Sequence, residues 1–259
     1  MFETLLFEIT DGRALITLNR PDVYNAFNDQ MRKELLAALK EAEKNTAVRV
    51  VILTGAGKAF CSGQDLKEVL ANPDRSISES LHKGYNPLIK QMRTMPKPVI
   101  GRLNGIAAGA GCSLALACDM VIASEEAALS EIFINIGLVL DSGSAYFLPR
   151  LVGSAIAFEL ATTGRKVSAN EAVTIGLINK AVPSDQLDTA VMEMAAYYEH
   201  APTKAIGLMK KMLNKSFQSD LDTLLEYEAY CQDIAATTSD SKEGIAAFLQ
   251  KRKPQFKGE

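Results

Sequence analysis

"NGIAAGAGCSLALACD", residues 104–119, decides how this chain is read. It enters on a glycine-rich turn and runs on as an apolar helix. The turn lacks the Lys-Ser/Thr of a P-loop and the GxGxxG spacing of a dinucleotide-binding fold. What it offers a ligand is bare backbone. The first N–H groups of a helix have no helical partner and sit at the positive end of its dipole. Upstream, "KPVIGRLNG" predicts a strand that feeds the turn; downstream, "DMVIASEEAALSE" predicts one or two more.

A second turn of the same kind precedes it. The β-branched run "VRVVILTG" predicts a strand buried on both faces. "KAFCSGQDLKE" follows, residues 58–68, with small residues where the chain enters the helical "LKEVLANP". Gly63, Gly109 and Gly111 would let a ligand approach the backbone. Two such turns from neighbouring strands would aim two N–H donors at one oxygen, which is the geometry of an oxyanion hole. Close packing of helices through small residues is the competing reading of the same glycines.

Around these turns, "LLFEITDGRALITLNRP" predicts two strands joined at Asp11-Gly12 and stopped by Pro21. "NDQMRKELLAALKEAEKN" predicts a helix with Asn28 as N-cap. Residues 76–95 predict another, ended before Pro96 and Pro98. Ser168 and Glu171 form a capping-box pattern, and "INKAV" supplies a last strand. Residues 184–200, 202–216, 219–237 and 240–252 then predict four helices in series. Alternation followed by helices alone implies an α/β core over residues 1–198 with a helical appendage over 199–259.

Composition narrows the partners. The 259 residues carry 28 basic and 31 acidic side chains, net −3, so no basic field recommends nucleic acid or an anionic membrane. The first long helix balances its charges, which argues against an RNA-binding face. No apolar run is long enough to span a membrane. The acidic N-terminus lacks a basic n-region, and "KGE" is not a peroxisomal address, so a cytoplasmic protein is expected. Cys61, Cys112, Cys118 and Cys231 form no CxxC and read as reduced thiols. Two distant histidines, His82 and His200, supply neither a zinc site nor a Ser-His-Asp triad; no metal is expected.

Taken together, "LNRPDVYNAFN", "ILTGAGKAFCSGQDLKE", "PKPVIGRLNGIAAGAGCSLALACDMVIA", "GLVLDSGSAYFLPRLVG" and "GIAAFLQKRKPQFKG" resemble the enoyl-CoA hydratase/isomerase (crotonase) superfamily over nearly the whole chain. The resemblance implies an α/β fold, a crotonase-like spiral of ββα units with a C-terminal helical trimerisation region. It puts the oxyanion donors on the N–H groups of Gln64 and Ala110. It implies that coenzyme A, part of the substrate rather than a separate cofactor, lies along "YNAF" and "SGQDLK". Tyr24, Ala26, Ser62, Gly63, Asp65, Leu66 and Lys67 fall there, with Ile106, Gly109, Phe133 and Leu138 as further substrate-binding positions. Phe248 and Lys251 match positions that reach CoA from a neighbouring subunit, implying a homotrimer or a dimer of trimers.

Hydratases of this superfamily position water with two glutamates. Ser113 and Phe133 stand at those positions here, and neither is a general base. Glu131 lies two residues from the second. The acid left is Asp141 in "GLVLDSGS", whose apolar approach would desolvate the carboxyl and raise its pKa toward the range of a general base. It matches the aspartate of the superfamily's isomerases. A turn aspartate capping the helix that starts near Ser144 is the structural alternative. The resemblance thus implies an acyl-CoA isomerase that shifts a proton or double bond, or rearranges a ring epoxide. Hydration of a 2-enoyl-CoA and a non-catalytic acyl-CoA-binding subunit are the alternatives; Tyr85 and Tyr146 are candidate acyl-pocket residues.

Overall fold

The computed structural model describes residues 2–259. Strands β1 (Leu5–Thr10) and β2 (Arg13–Leu18) pair antiparallel, with Leu5 opposite Leu18. Asp11 and Gly12 both take positive φ, as a two-residue hairpin turn requires. Helix α1 (Asp29–Lys44) starts at Asn28, whose side chain accepts the Met31 N–H at 2.8 Å. Strands β3 (Val50–Gly55) and β4 (Ala59–Cys61) follow, then α2 (Leu66–Ala71), α3 (Ile77–Ser80) and α4 (Asn86–Thr94). A π-helical turn, Leu81–Tyr85, joins α3 to α4 within the predicted 76–95 segment.

Strands β5 (Val99–Leu103) and β6 (Ile106–Ala108) lead into α5 (Ala110–Leu116). Next come β7 (Met120–Ser124), β8 (Ala128–Ser130), a 3-10 segment Ile132–Ile136 and α6 (Ser144–Thr163). Two short elements, β9 (Val167–Ser168) and α7 (Ala169–Thr174), precede β10 (Lys180–Val182). Ser168 accepts the Glu171 N–H at 3.2 Å, the forward half of the predicted capping box. Four helices end the chain: α8 (Leu187–Glu199), α9 (Thr203–Ser216), α10 (Leu221–Ala236) and α11 (Ser239–Leu249).

Two sheets result, ordered β1-β2-β3-β5-β7-β10 and β4-β6-β8-β9. Strand β3 shows why the larger is sandwiched. Its alternate residues Val51 and Leu53 enter one core with α1, α4 and α5, while Val50 and Ile52 enter a second with α8. After the β1–β2 hairpin, which stays in the larger sheet, the units β3–β4, β5–β6 and β7–β8 each send their first strand to the larger sheet and the next to the smaller. The smaller sheet therefore collects the ends of β4, β6 and β8, and with them both glycine turns.

Helix α9 is tied to this core by a buried cation. Lys210 reaches Asp119 at 2.6 Å and donates to the carbonyls of Met92 and Lys97 at 2.6 and 3.2 Å. Beyond α9 the helices turn large apolar side chains to solvent: Leu221, Tyr230, Phe248 and Leu249 are each more than half exposed. No helix among the described residues is long and apolar enough to cross a membrane.

Candidate active site

The two glycine turns meet. Strands β4 and β6 run parallel, pairing Cys61 with Ala107, so the chain leaves both at one level. Gly63 has φ +95°, and a Cβ there would stand 2.8 Å from the Ala108 carbonyl oxygen and 3.4 Å from the Ala110 nitrogen. Only glycine lets the first turn lie this close to the second. Gly109, φ +50°, caps α5 and puts Ala110 at its first position.

Both peptide units ahead of the candidate donors are anchored through their carbonyls. Gly63 accepts the Phe27 N–H at 2.7 Å, and Asp65 donates to Phe27 at 2.9 Å, so this local bridge leaves the Gln64 N–H unused. Gly109 accepts the Ser113 N–H at 3.0 Å, and its own N–H donates to Ser130 at 2.9 Å. Among the described residues, neither the Gln64 nor the Ala110 N–H has a protein acceptor. Two uncommitted amides in anchored peptides stand on turns that touch, the arrangement that a preorganised anion-stabilising pair requires.

A pocket of about 370 Å³ opens over them. Of the predicted site residues, Ser62, Gly63, Gln64, Leu66, Gly109, Ala110, Phe133, Leu138 and Asp141 line it, and so does Tyr85. Asp141 is the one carboxylate in that lining. The turn after it is strained, with Ser142 at φ +51° and Gly143 at φ +89°. Burial raises the Asp141 pKa. The Ser142 hydroxyl offsets part of that, yet it makes no well-directed hydrogen bond, and Asp141 Oδ1 is buried without a partner. The helix-capping alternative fails here: Gly143 caps α6, and no side chain accepts its first amides.

Other predicted positions lie off this pocket. Tyr24 is half exposed, Ala26 is buried, and Ile106 is on β6. Asp65 caps α2, accepting the Lys67 N–H at 3.1 Å, and pairs with Arg20 at 2.9 Å. Lys67 is exposed in the first turn of α2. Phe248 and Lys251 stand at the far end of α11, exposed in the single chain. Tyr146 points elsewhere, its hydroxyl on the Asn214 carbonyl at 3.2 Å.

One glycine is corrected. A Cβ on Gly111 would meet the Cys61 carbonyl oxygen at 2.2 Å, so this glycine serves packing of α5 on β4, not ligand approach. Glu131 is buried and is not part of the lining, to which Phe133, two residues on, belongs. Sequence reading also missed a clamp on Gln64. Its Oε1 accepts from Arg32 at 2.6 Å and from the Tyr85 hydroxyl at 2.7 Å, while Nε2 donates to Phe27 at 3.1 Å. Arg32 is 2% exposed, stacks over the Tyr85 ring at 4.7 Å and pairs with Asp29. The signal was an arginine on the apolar face of α1, three residues before Leu35 and seven before Leu39.

Comparison with known proteins agrees with this architecture. Residues 8–259 match the family described as enoyl-CoA hydratase/isomerase. The chain is 40% identical to the 1,2-epoxyphenylacetyl-CoA isomerase of Escherichia coli, each covered in full. It is 41% identical to a probable enoyl-CoA hydratase of Rhodobacter capsulatus, over 99% of each. The crystal structure of an enoyl-CoA hydratase from Bacillus anthracis superposes with a TM-score of 0.93 at 35% identity, covering 99% of this chain and 100% of that one. Fold, paired turns and full-length similarity agree: this chain belongs to the enoyl-CoA hydratase/isomerase family of enzymes, which act on acyl-CoA thioesters, and has the crotonase fold.

Proposed function

We propose that the protein is an acyl-CoA isomerase. The N–H groups of Gln64 and Ala110 hold the thioester oxygen as it becomes an enolate, and Asp141 moves the proton. The carrying observation is the lone carboxylate: Asp141 is the only acid lining the pocket over the two amides. One carboxylate suffices to take a proton from one carbon of the acyl chain and return it to another on the same face. Activating a water for hydration calls for more, and Ser113 and Phe133 supply no base. The 40%-identical relative named an isomerase supports the same reading.

Coenzyme A enters as part of the substrate, along Tyr24, Ala26 and the Ser62–Lys67 segment, without a separate cofactor. Phe248 and Lys251 would complete that strip from a neighbouring copy. Supporting this, Leu213, Phe217, Leu221, Phe248 and Leu249 are each exposed by two thirds or more, a greater apolar surface than a lone chain usually leaves in water. A trimer or a pair of trimers is expected from light scattering.

The test is a substrate panel: crotonyl-CoA with water, a 3-enoyl-CoA, and ring-epoxidised phenylacetyl-CoA, each with wild type and Asp141→Asn. Isomerisation should dominate and fall by about 10²–10⁴ in the variant, the usual worth of a positioned acid–base group. Fast hydration surviving in Asp141→Asn would restore the hydratase reading, and binding without any turnover would favour a non-catalytic subunit.

A further inference from the structure

Outside the pocket lining lies a buried polar chain that the isomerase reading does not use. Glu131 is 3% exposed, and its Oε1 stands 2.8 Å from Ser144 Oγ. Ser144 Oγ stands 2.6 Å from Ser113 Oγ, and both serines are fully buried. Ser113 Oγ in turn lies 3.2 Å from the carbonyl oxygens of both Gly109 and Asp141. The chain thus ends on the peptide whose N–H belongs to Ala110 and on the backbone of the candidate acid. Glu131 Oε2 has no partner.

We infer that Glu131 is a positioning residue that sets the strength of the oxyanion hole, through a Glu131–Ser144–Ser113 hydroxyl relay onto the Gly109 and Asp141 carbonyls. The inference rests on the thioester oxygen meeting the Ala110 N–H, as proposed above.

Counting protons carries it. The relay has three links, from Glu131 to Ser144, from Ser144 to Ser113, and from Ser113 to a carbonyl. Each serine hydroxyl donates once. Two serine protons fill two links, so all three are made only when Glu131 brings a proton of its own. A neutral Glu131 donates to Ser144, Ser144 to Ser113, and Ser113 to the Gly109 or Asp141 carbonyl. An ionised Glu131 reverses the direction: Ser144 donates to the carboxylate, Ser113 turns to Ser144, and the carbonyls lose their hydroxyl. A hydrogen bond accepted by a peptide carbonyl strengthens the N–H of the same peptide as a donor, because bonds in a chain polarise one another. The Gly109–Ala110 peptide therefore grips an oxyanion better while Glu131 is neutral.

The surroundings keep that switch in the working range. Burial raises the Glu131 pKa to about 7; the Ser144 hydroxyl and Cys112 thiol lower it, and the Asp141 carboxyl raises it. Cys112 comes from α5, Asp141 from the strained turn and Ser144 from α6, and no Lys, Arg or His among the described residues pairs with Glu131.

The test reads the bound thioester directly. Hexanoyl-CoA, labelled at its carbonyl carbon, is bound to the full-length protein in an Asp141→Asn background, which removes turnover and the second carboxyl. The infrared carbonyl band is followed a unit below and a unit above the Glu131 midpoint. The band should sit at lower frequency on the acid side and move back on the alkaline side. Glu131→Gln abolishes the movement by removing the titrating group. Ser144→Ala abolishes it too, although Glu131 still titrates, because the relay is cut; an effect felt only through space would survive there. With Asp141 intact, turnover should fall a few-fold through the Glu131 midpoint in the wild type and stay level in Glu131→Gln. A band that is shifted on binding but does not move with pH, or moves equally in Ser144→Ala, overturns the relay alone. Bound label with an unshifted band at every pH, or no binding, overturns the oxyanion reading and the relay with it.

Discussion

The two turns that form the amide pair are held in opposite ways. The Gly63–Gln64 turn, beyond its backbone bridge to Phe27, is braced by long side chains from elsewhere: Arg32 on α1 and Tyr85 before α4 grip the Gln64 side-chain amide. The Gly109–Ala110 turn has no such grip. It is fixed by close backbone contact, with Gly111 pressed on the Cys61 carbonyl and the Ser113 N–H donating to the Gly109 carbonyl at 3.0 Å, and the short Ser113 hydroxyl adds to that hold. One donor thus has polar side-chain braces that can be removed singly, while the other rests on an α5–β4 contact at Gly111 that tolerates no added atom. Damage to the second turn should be severe and damage to the first graded.

The largest effect is expected from Gly111→Ala. The new methyl would meet backbone that cannot swing aside, so α5 must shift and carry the Ala110 N–H with it. Losing one oxyanion donor costs about 10²–10³ in kcat, and overpacking about 1–3 kcal/mol of stability; kinetics and thermal melting check both. Full activity in this variant would mean that the second turn does not set the donor.

Glu131→Gln probes the ground beneath that turn. The folded-state pKa of about 7 stands above the ordinary 4.5, so folding favours the neutral acid. Its stability is full below the unfolded value and is lost as pH rises through the folded one. At about 1.4 kcal/mol per unit, the wild type should lose roughly 3 kcal/mol relative to Glu131→Gln across that window. Denaturant melts at several pH values give the difference; a difference flat with pH would remove Glu131 from the account.

The first turn should yield in smaller steps. Arg32→Met removes a charged donor from Gln64 and should cost about 2 kcal/mol, and Tyr85→Phe, which removes a neutral one, about 1 kcal/mol. Both variants should keep a measurable kcat, lowered less than in Gly111→Ala. A Tyr85→Phe variant as inactive as Gly111→Ala would erase the contrast between the turns.

Much of this was legible in sequence because it is written in local chemistry. Asn28 announces α1, the Asp11-Gly12 pair its hairpin, and the run at 50–55 a strand buried on both faces. Gly63 and Gly109 marked the two turns because positive φ is a local demand that glycine meets. The same letter at Gly111 misled, since glycine does not encode whether a ligand or a neighbouring strand fills its missing side chain. Asp141 was legible by type and setting, but the strained Ser142–Gly143 turn that buries its carboxyl is a tertiary outcome. The Arg32–Gln64–Tyr85 clamp and the Glu131–Ser144–Ser113 chain join residues that lie far apart in the chain. Only folding makes them neighbours.

The most direct measurement is proton exchange on a bound acyl-CoA in deuterium oxide, followed by NMR, in wild type and Asp141→Asn. Thioester enolisation over the Gln64 and Ala110 amides with Asp141 as the base predicts rapid deuterium uptake beside the carbonyl in the wild type. In Asp141→Asn, uptake should slow by about 10² or more while the ligand stays bound. Equal uptake in the two proteins would contradict the account.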